Sequence, residues 1–172
     1  LPEHVLAVAE EVASAAKAGA DVVDISTIDP QTARTVAERL GAAGLGFGDA
    51  PVLGRPAGIG NWVLVLGADE GFEARVAPVL TGTIARSVVR VGEAGAGSVV
   101  KLANNLMFGA INAVTAEAIT LCETNGVDPD LFVQTVADSG AATVSNLFKD
   151  VGPRMVEGDF DPVFALGLLA KD

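Results

Sequence analysis

Two residue types that could transfer a proton or bind a polar substrate stand in an otherwise apolar segment. In GEAGAGSVVKLANN, residues 92–105, Lys101 and Asn105 are four residues apart and Asn104 precedes the second. Residues four apart share one face of a helix, so we expect the amine and the carboxamide side by side. A buried polar group without a partner costs about 1–3 kcal/mol, so these side chains need a ligand or a neighbour.

The position of Lys101 indicates what its amine could do. It falls in the first turns of a predicted helix, where the macrodipole disfavours a cation. Burial and the dipole both lower the pKa of an amine, toward the range in which it exchanges protons near neutral pH. We therefore predict that Lys101 is a general acid and base, and that Asn105 hydrogen-bonds to the same substrate oxygen or to the lysine. The alternative is that Lys101 extends to solvent and the asparagines pair locally.

Three glycines, Gly92, Gly95 and Gly97, precede Lys101. GAGSVV follows a predicted strand and opens a helix, as a dinucleotide-binding turn does. Val100, however, takes the place of the third glycine, and no strand follows to complete a βαβ unit. A Walker loop is excluded because no Gly-Lys-Ser/Thr occurs. We expect a tight turn at which a substrate or cofactor approaches the backbone.

The composition excludes several kinds of partner. The 172 residues carry a formal net charge of −11, which disfavours binding to nucleic acid or to an anionic membrane. One cysteine, Cys122, and one histidine, His4, leave no disulfide within the chain and no Cys/His metal site. No apolar run reaches the roughly 20 residues that a membrane-spanning helix needs, so we expect no membrane span. We therefore predict a cytoplasmic protein without a bound metal.

Apolar periodicity divides the chain near residue 95 into an α/β part and an all-α part. Strands are predicted at 21–25, 45–52, 62–68 and 87–92. Helices are predicted over 3–18 and 69–82, and a third begins at Pro30 with Asp29 as its N-cap. This alternation predicts an open, mostly parallel sheet with helices on both faces. Residues 98–125 predict one helix of about 40 Å. It is apolar on nearly every side and is therefore expected to be buried in a domain or dimer core. Further helical pieces follow.

Four segments, in order, resemble signatures of the β-hydroxyacid dehydrogenases, which include 3-hydroxyisobutyrate dehydrogenase, tartronate semialdehyde reductase and the 6-phosphogluconate dehydrogenases. GAGSVVKLANN at 95–105 resembles the family's Gly-x-Gly-x-x-x-Lys-x-x-x-Asn. VVDISTIDP at 22–30 resembles its Val-Asp-x-Ser-Thr, and DAPV at 49–52 matches the residues before its substrate loop. RMVEGDFDPVFALGLLAKD at 154–172 resembles its C-terminal Phe-to-Lys-Asp stretch.

The resemblance implies a fold and a domain organisation. Residues 1–94 would form the second half of a Rossmann-type nucleotide-binding domain. Residues 95–172 would form an all-α substrate and dimerisation domain with one long central helix. The family's opening strand and Gly-x-Gly-x-x-Gly turn are not found in this sequence, and it stops at Lys171-Asp172. The first domain is therefore expected to lack its N-terminal part and the second its C-terminal part.

The resemblance also implies residue roles in substrate binding. Lys101 would be the general acid and base and Asn105 would orient the substrate, with Asn104 beside it. Gly54 would place a backbone N–H against the substrate carboxylate. The family loop after DAPV usually reads Ser-Gly-Gly, but here it reads Leu53-Gly54-Arg55. The lost serine removes a substrate hydrogen bond, and Arg55 either clamps a carboxylate or phosphate or is simply solvated.

The cofactor implied by the resemblance is NAD or NADP. Ser26 and Thr27, after a predicted strand, would contact it near the nicotinamide ribose, Lys171 would reach it, and Phe164 would line the same cleft. The implied reaction is hydride transfer between the nicotinamide and a small 3-hydroxy acid or its semialdehyde, in a homodimer or higher oligomer. Two alternatives stay open: a non-catalytic dimerisation or interaction module, and an imine reductase on the same scaffold.

Overall fold

The computed structural model describes residues 1–141, 145–161, 167 and 170. The helices are α1 (Pro2–Ala15), α2 (Pro30–Ala42), α3 (Phe72–Thr81), α4 (Ala96–Thr124), α5 (Pro129–Asp138) and α6 (Asn146–Glu157), with a 3-10 turn at Pro56–Gly58. The strands are β1 (Asp21–Asp24), β2 (Gly46–Asp49), β3 (Val52–Leu53), β4 (Trp62–Ala68) and β5 (Ala85–Gly92). Contacts divide the chain into two compact units, Leu1–Ala103 and a second that begins at Asn104. The domain boundary expected at residue 94 stays a prediction.

The sheet is mixed rather than mostly parallel, which corrects the expectation from the sequence. β1 pairs with β2 in parallel and β4 with β5 in parallel, whereas β4 runs antiparallel to both β2 and β3. β2 and β3 meet β4 in one continuous register, so together they form one arm of a hairpin. Only the short loop at 54–61 joins that arm to β4. A parallel return needs about a dozen residues or more, so the strand must come back antiparallel.

Both faces of the sheet are covered, as expected. Side chains alternate along a strand, so the neighbours Phe47 and Gly48 on β2 face opposite sides. Phe47 packs with buried residues of α1 and α2, whereas Gly48 lies against the ring of Phe72 at the start of α3. The core on the first side contains Ala9, Val36, Leu40, Leu45 and Phe47, and the core on the second contains Ala50, Leu64, Leu66, Ala68, Phe72, Val76 and Ala85.

The start of α2 confirms the predicted cap. Asp29 precedes the helix and accepts a hydrogen bond from the Thr32 N–H at 2.9 Å, and Pro30 is the first helical residue. Hydrogen bonds from Thr32 hold the pKa of Asp29 below its ordinary value. A side-chain acceptor and a residue without an N–H suit this position because the first N–H groups of a helix have no partner within it.

The long helix is confirmed. α4 has 29 residues, a length of about 43 Å at the usual rise per residue. Among the described residues it is the one helix long and apolar enough, by length and composition alone, to cross a membrane, which corrects the expectation of no such run. Core helices of soluble proteins meet the same criterion.

One side of α4 carries apolar residues that nothing in the described part of the chain covers. This apolar stripe consists of Val99, Leu106, Met107, Val114 and Leu121, which are between 52% and 74% exposed. Several of its members are seven residues apart, which keeps them on one side of a helix. The described part of this single chain therefore leaves the stripe exposed, and the expectation that α4 is buried in a domain or dimer core stays a prediction.

The second unit continues from α4 into α5 and α6. The rings of Phe132 and Phe148 meet edge to face with their centroids 6.2 Å apart. Val133 packs against Gly152, where an added Cβ would lie 3.0 Å from the valine. α5 and α6 therefore form a close helical pair, in agreement with the all-α expectation for this part of the chain.

Candidate active site

A buried carboxylate stands where β2 ends. Asp49 is 0% exposed. Its Oδ1 accepts the Gly95 N–H at 2.6 Å, and its Oδ2 accepts the Ser98 N–H at 2.7 Å and the Ser98 hydroxyl at 2.9 Å. These donors belong to the start of α4, whose first N–H groups have no partner within the helix, so Asp49 caps α4 from another element. Burial raises the pKa of Asp49 above its ordinary value, against hydrogen bonds that lower it.

Lys101 lies in the second turn of α4 and is half-buried. Its Nζ donates a hydrogen bond to the Val52 carbonyl oxygen in β3 at 2.9 Å. Val52 immediately precedes the Leu53-Gly54-Arg55 segment, so the amine is held beside that loop. The ammonium is thus anchored to the strand, in contrast to the alternative in which it extends freely into solvent.

The glycines before Lys101 bring α4 onto the sheet. Gly95 has φ +92°, a left-handed conformation that favours glycine, and it is buried. A Cβ on Gly97 would lie 2.5 Å from the carbonyl oxygen of Asp49 and closer still to that of Val65. The expected tight turn is present, but the backbone that approaches Gly97 is that of the sheet. The expectation that a substrate or cofactor also approaches this turn stays a prediction.

The loop after DAPV is anchored by Trp62. The indole Nε1–H donates to the Arg55 carbonyl oxygen at 2.7 Å, and a Cβ on Gly54 would lie 2.7 Å from Cδ1 of the same indole. Leu53 is half-buried in β3, whereas Gly54 and Arg55 are exposed. Within the described residues the Gly54 N–H has no hydrogen-bond partner. The loop therefore has a fixed backbone with an N–H available to an anionic group.

Ser26 and Thr27 follow β1 at the same edge of the sheet. The parallel register pairs Asp24, the last residue of β1, with Asp49, and the Ala50 N–H donates to the Asp24 carbonyl oxygen at 2.7 Å. Ligands of open α/β sheets bind beyond the carboxyl ends of parallel strands. The Ser26–Thr27 turn and the segment from Asp49 onward therefore share the edge where a ligand is expected.

Polar groups at this turn fit a hydroxyl-rich part of a nicotinamide cofactor. Asp24 Oδ1 accepts the Ser26 N–H at 2.9 Å, while Asp24 Oδ2 is buried and has no hydrogen-bond partner among the residues described. Ser26 is exposed and Thr27 is half-buried. Buried polar atoms of this kind are normally paired, so an acceptor at the strand end is consistent with a ligand hydroxyl.

The remaining predicted site residues lie further along the chain. Asn105 is 7% exposed and Asn104 is exposed, both on α4 within the second unit. Asn105 follows Lys101 by one helical turn, as the spacing requires. Phe164 and Lys171 lie outside the described residues.

Sequence reasoning missed two residues that organise this site. Asp49 belonged to a recognised signature but received no role, and Trp62 was assigned only to a strand. A signal for Asp49 was available, because an acidic residue at the end of an apolar strand is almost never buried without partners. No local pattern indicates the role of Trp62, because only the hairpin brings its indole next to the Arg55 carbonyl oxygen.

Two protein-family models match successive parts of the chain. The model for the NAD-binding domain of 6-phosphogluconate dehydrogenase matches residues 1–92. The model for the NAD-binding region of NADP-dependent 3-hydroxyisobutyrate dehydrogenase matches residues 95–172. Almost every residue thus falls within one of two dehydrogenase models.

Individual relatives agree with the family models. The 2-(hydroxymethyl)glutarate dehydrogenase of Eubacterium barkeri is 33% identical over 163 residues, covering 94% of this chain and 54% of that protein. The L-threonate dehydrogenase of Cupriavidus necator is 35% identical over 172 residues, covering 99% and 57%. The solved structure of Mycobacterium tuberculosis 3-hydroxyisobutyrate dehydrogenase with L-serine superposes with a TM-score of 0.87 at 28% identity, covering 99% of this chain and 60% of that one.

The chain spans little more than half the length of the curated relatives that it matches. The match nevertheless includes the sheet edge at Ser26 and Asp49 and the start of α4 with Lys101, because the two family models cover both. These matches confirm the fold class expected from the sequence, an α/β nucleotide-binding unit followed by helices. On these grounds the chain belongs to the NAD(P)-binding β-hydroxyacid dehydrogenase family.

Proposed function

We propose that this protein is an NAD(P)-dependent oxidoreductase that acts on a small 3-hydroxy acid or its semialdehyde, with Lys101 as general acid and base. The observation that carries the proposal is the Lys101 amine, half-buried and 2.9 Å from the Val52 carbonyl oxygen, directly before the 53–55 loop. An amine held at a sheet edge where ligands bind is suited to exchange a proton with a bound alcohol.

Lys101 performs the proton transfer in this proposal. When bound, the nicotinamide supplies the acceptor for the hydride that leaves the substrate carbon. Unprotonated Lys101 Nζ takes the proton of the substrate hydroxyl as the C–H bond breaks and the C=O bond forms. In the reductive direction protonated Lys101 returns that proton to the alkoxide oxygen. Positioned proton transfer of this kind contributes about 10²–10⁴-fold to a rate.

The Val52 carbonyl orients the amine in both protonation states. An ammonium has three N–H donors, and a neutral amine keeps two of them and gains a lone pair. One N–H can therefore stay on Val52 while a second N–H, or the lone pair of the neutral amine, faces the substrate. The hydrogen bond fixes the direction of a flexible side chain that carries about 2 kcal/mol of rotamer entropy. This orientation supports a productive geometry before the substrate arrives.

The 53–55 loop binds the substrate in this proposal. The Gly54 N–H has no hydrogen-bond partner among the described residues, and in this proposal it donates to the substrate carboxylate. Arg55 adds a guanidinium for a second anionic group, since this side chain pairs with carboxylate or phosphate in bidentate fashion. Leu53 presents an apolar side chain to the substrate where the family loop usually has a serine hydroxyl. Asn105 and Asn104 orient the substrate from α4.

The cofactor site assigned by the proposal contains Ser26 and Thr27, together with Phe164 and Lys171 nearer the C-terminus. The buried Asp24 Oδ2 and the exposed Ser26 beside it support this assignment of the turn. The cofactor in this proposal is NAD or NADP. We further propose a soluble cytoplasmic protein that forms a homodimer or higher oligomer through its helical part.

The alternatives differ from this proposal at Lys101. A non-catalytic module has no use for an amine at this position, and burying it would be costly without benefit. An imine reductase on the same scaffold would be expected to use a different proton donor, so its activity would not depend on Lys101. The same substitution therefore separates all three functions.

The decisive experiment replaces Lys101 in the full-length protein that contains these residues. Lys101→Ala is expected to lower turnover of a 3-hydroxy acid by about 10²–10⁴-fold, because the proton acceptor is lost. Cofactor affinity is expected to stay within about threefold of the original, since a general acid contributes mainly to the chemical step. Steady-state kinetics with NAD and NADP, against a panel of hydroxy acids, semialdehydes and cyclic imines, measures both.

Two further variants complete that experiment. Lys101→Arg keeps the charge but cannot release a proton near neutral pH, so its turnover should match that of Lys101→Ala. Lys17→Ala, at an exposed lysine outside the site, should have unchanged kinetics. Undiminished turnover in Lys101→Ala contradicts the proposal, and reduction of imines at the original rate would favour the imine reductase instead.

A further inference from the structure

One segment of the sheet is tied to one turn of α4 at two points. Asp49 Oδ2 accepts hydrogen bonds from Ser98, and the Val52 carbonyl oxygen accepts one from Lys101. The two acceptors are three residues apart in the chain, and so are the two donors. The strand segment and the helical turn therefore run alongside each other. Ser98 and Lys101 share one face of the helix, so the placement of the amine follows the placement of Ser98.

The contact between strand and helix leaves no space for movement. A Cβ on Gly97 would lie 2.5 Å from the Asp49 carbonyl oxygen, and a Cβ on Gly67 would lie 2.8 Å from the Gly97 nitrogen. Backbone thus meets backbone without an intervening side chain. Because packed interiors do not deform gradually, a shift of this turn must break the hydrogen bonds to Asp49.

The charge of Asp49 matches its surroundings but is costly. Both of its oxygens face N–H donors, from Gly95 and Ser98, so the ionised form is the one that the geometry fits. Burial nevertheless raises the pKa of this carboxyl, which disfavours that form. The helices α2, α5 and α6 are capped more simply, by the residue that precedes each of them. A cap supplied by a strand, unlike these local caps, also fixes the position of the start of α4 on the sheet.

We propose that Asp49 is a positioning residue for the reaction. It holds the first turn of α4 on the strand so that Lys101 presents its amine beside the 53–55 loop. Asp49 itself touches neither substrate nor cofactor. This inference rests on the proposed function of Lys101 and adds a second residue whose loss should reduce turnover.

The test replaces Asp49 by Asn in the full-length enzyme. One carboxylate oxygen is then replaced by an NH2 group, which points an N–H donor at a backbone N–H and cannot accept its hydrogen bond. We expect kcat to fall about 10–100-fold, the effect of a misplacement of about 1 Å. The KM for cofactor should change less than about threefold, because the Ser26–Thr27 turn is untouched. Hydrogen–deuterium exchange of the amides at 95–101 should become faster, since their cap is weakened.

Asp21→Asn is the matched control for this substitution. Asp21 begins β1, at the opposite end of that strand from Ser26, and its carboxylate binds Arg75 at 2.7 Å and 2.9 Å. The same change in side chain should lower Tm through loss of this ion pair and leave kcat unaltered. A loss of stability alone therefore does not imitate the result expected for Asp49→Asn.

Three results would overturn the inference. They are a folded Asp49→Asn with the original kcat, a lowered kcat without faster exchange at 95–101, and an equal loss of kcat in Asp21→Asn. Should Asp49→Asn not fold, Ser98→Ala decides: it removes only the hydroxyl contact, and a several-fold loss of kcat at unchanged Tm supports the inference while an original kcat refutes it. Lys101→Ala is assayed in parallel, because turnover surviving that variant would reject the proposed function itself.

Discussion

A backbone oxygen of β3 orients the Lys101 amine, to which we assign the proton transfer. The Val52 carbonyl accepts a hydrogen bond from Nζ at 2.9 Å, which aims the amine without neutralising it. A carboxylate in that place would form an ion pair and favour the protonated amine, against release of the proton. The Val52 carbonyl orients the group without adding a full negative charge of its own. The residue type of the partner thus matters as much as the lysine.

Arg55 permits a prediction about substrate choice at the residue scale. Arg55→Ala should raise the KM of substrates with a second carboxylate or a phosphate by about tenfold or more, because a hydrogen bond to a charged group contributes roughly 1.5–3 kcal/mol. The KM of simple 3-hydroxy monocarboxylates should change little, and kcat should be retained. Steady-state kinetics with matched mono- and dianionic substrates measures the difference.

The control for Arg55 is Arg86→Ala, at an exposed arginine near the start of β5. It removes the same charge far along the chain from the loop and should leave both KM values as they are. Unchanged KM values for both substrate classes in Arg55→Ala would favour the alternative in which Arg55 is a solvated loop residue. An equal rise of both KM values would contradict a contact with the second anionic group.

The contact of α4 with the sheet decides where the reactive groups meet. The first turn of this helix can approach the strands because Gly97 lacks a side chain, whereas a Cβ on Gly95 would meet the Pro30 carbonyl oxygen of α2 at 2.8 Å. Glycine is usually unfavourable within a helix by about 1 kcal/mol relative to alanine. Here that cost is offset by close packing and by the hydrogen bonds to Asp49.

Glycine-to-alanine substitutions test this contact at the element scale. Gly97→Ala places a Cβ 2.5 Å from the Asp49 carbonyl oxygen and should lower the free energy of unfolding by about 1–3 kcal/mol, the usual cost of overpacking. Gly41→Ala in α2 meets no atom within 4 Å and should raise it by up to about 1 kcal/mol. Urea denaturation measures both values, and a neutral or stabilising Gly97→Ala would contradict the packing described here.

The apolar stripe of α4 is the feature that concerns the whole molecule. Its members are more than half exposed in the described chain. Exposed apolar surface of this extent on a soluble protein usually marks an interaction surface. We assign it to the proposed homodimer, in which a second copy of the helical part would bury it.

A charge placed in the stripe tests this assignment. Val114 is 63% exposed, and Val114→Glu should shift the full-length protein from dimer to monomer, because an unpaired carboxylate is expensive to bury at an interface. Val79→Glu, on α3 and 65% exposed, is the matched control and should leave the dimer intact. Light scattering coupled to size-exclusion chromatography gives the mass of each species. A monomeric unsubstituted protein, or a dimeric Val114→Glu, would contradict the assignment.

Local sequence patterns determined most of the elements. The apolar run at 62–68 became β4 with the same bounds, and Asp29 and Pro30 opened α2 as predicted. The spacing of Lys101 and Asn105 placed them on one helix, which the structure confirms. These predictions succeed because helical and strand periodicities, caps and turn residues act over a few neighbouring positions.

Tertiary structure alone decided how those elements meet. Residues that no local pattern relates are joined by the antiparallel return of β4, by the contact of Gly97 with the sheet and by the hydrogen bonds that Ser98 donates to Asp49. Asp49 and Ser98 are 49 residues apart in the chain. Such pairings depend on loop lengths and on which surfaces pack together, so they arise only when the chain folds. The sequence by itself therefore selected Lys101 as the proposed acid and base, and the fold determined which groups hold its side chain in place.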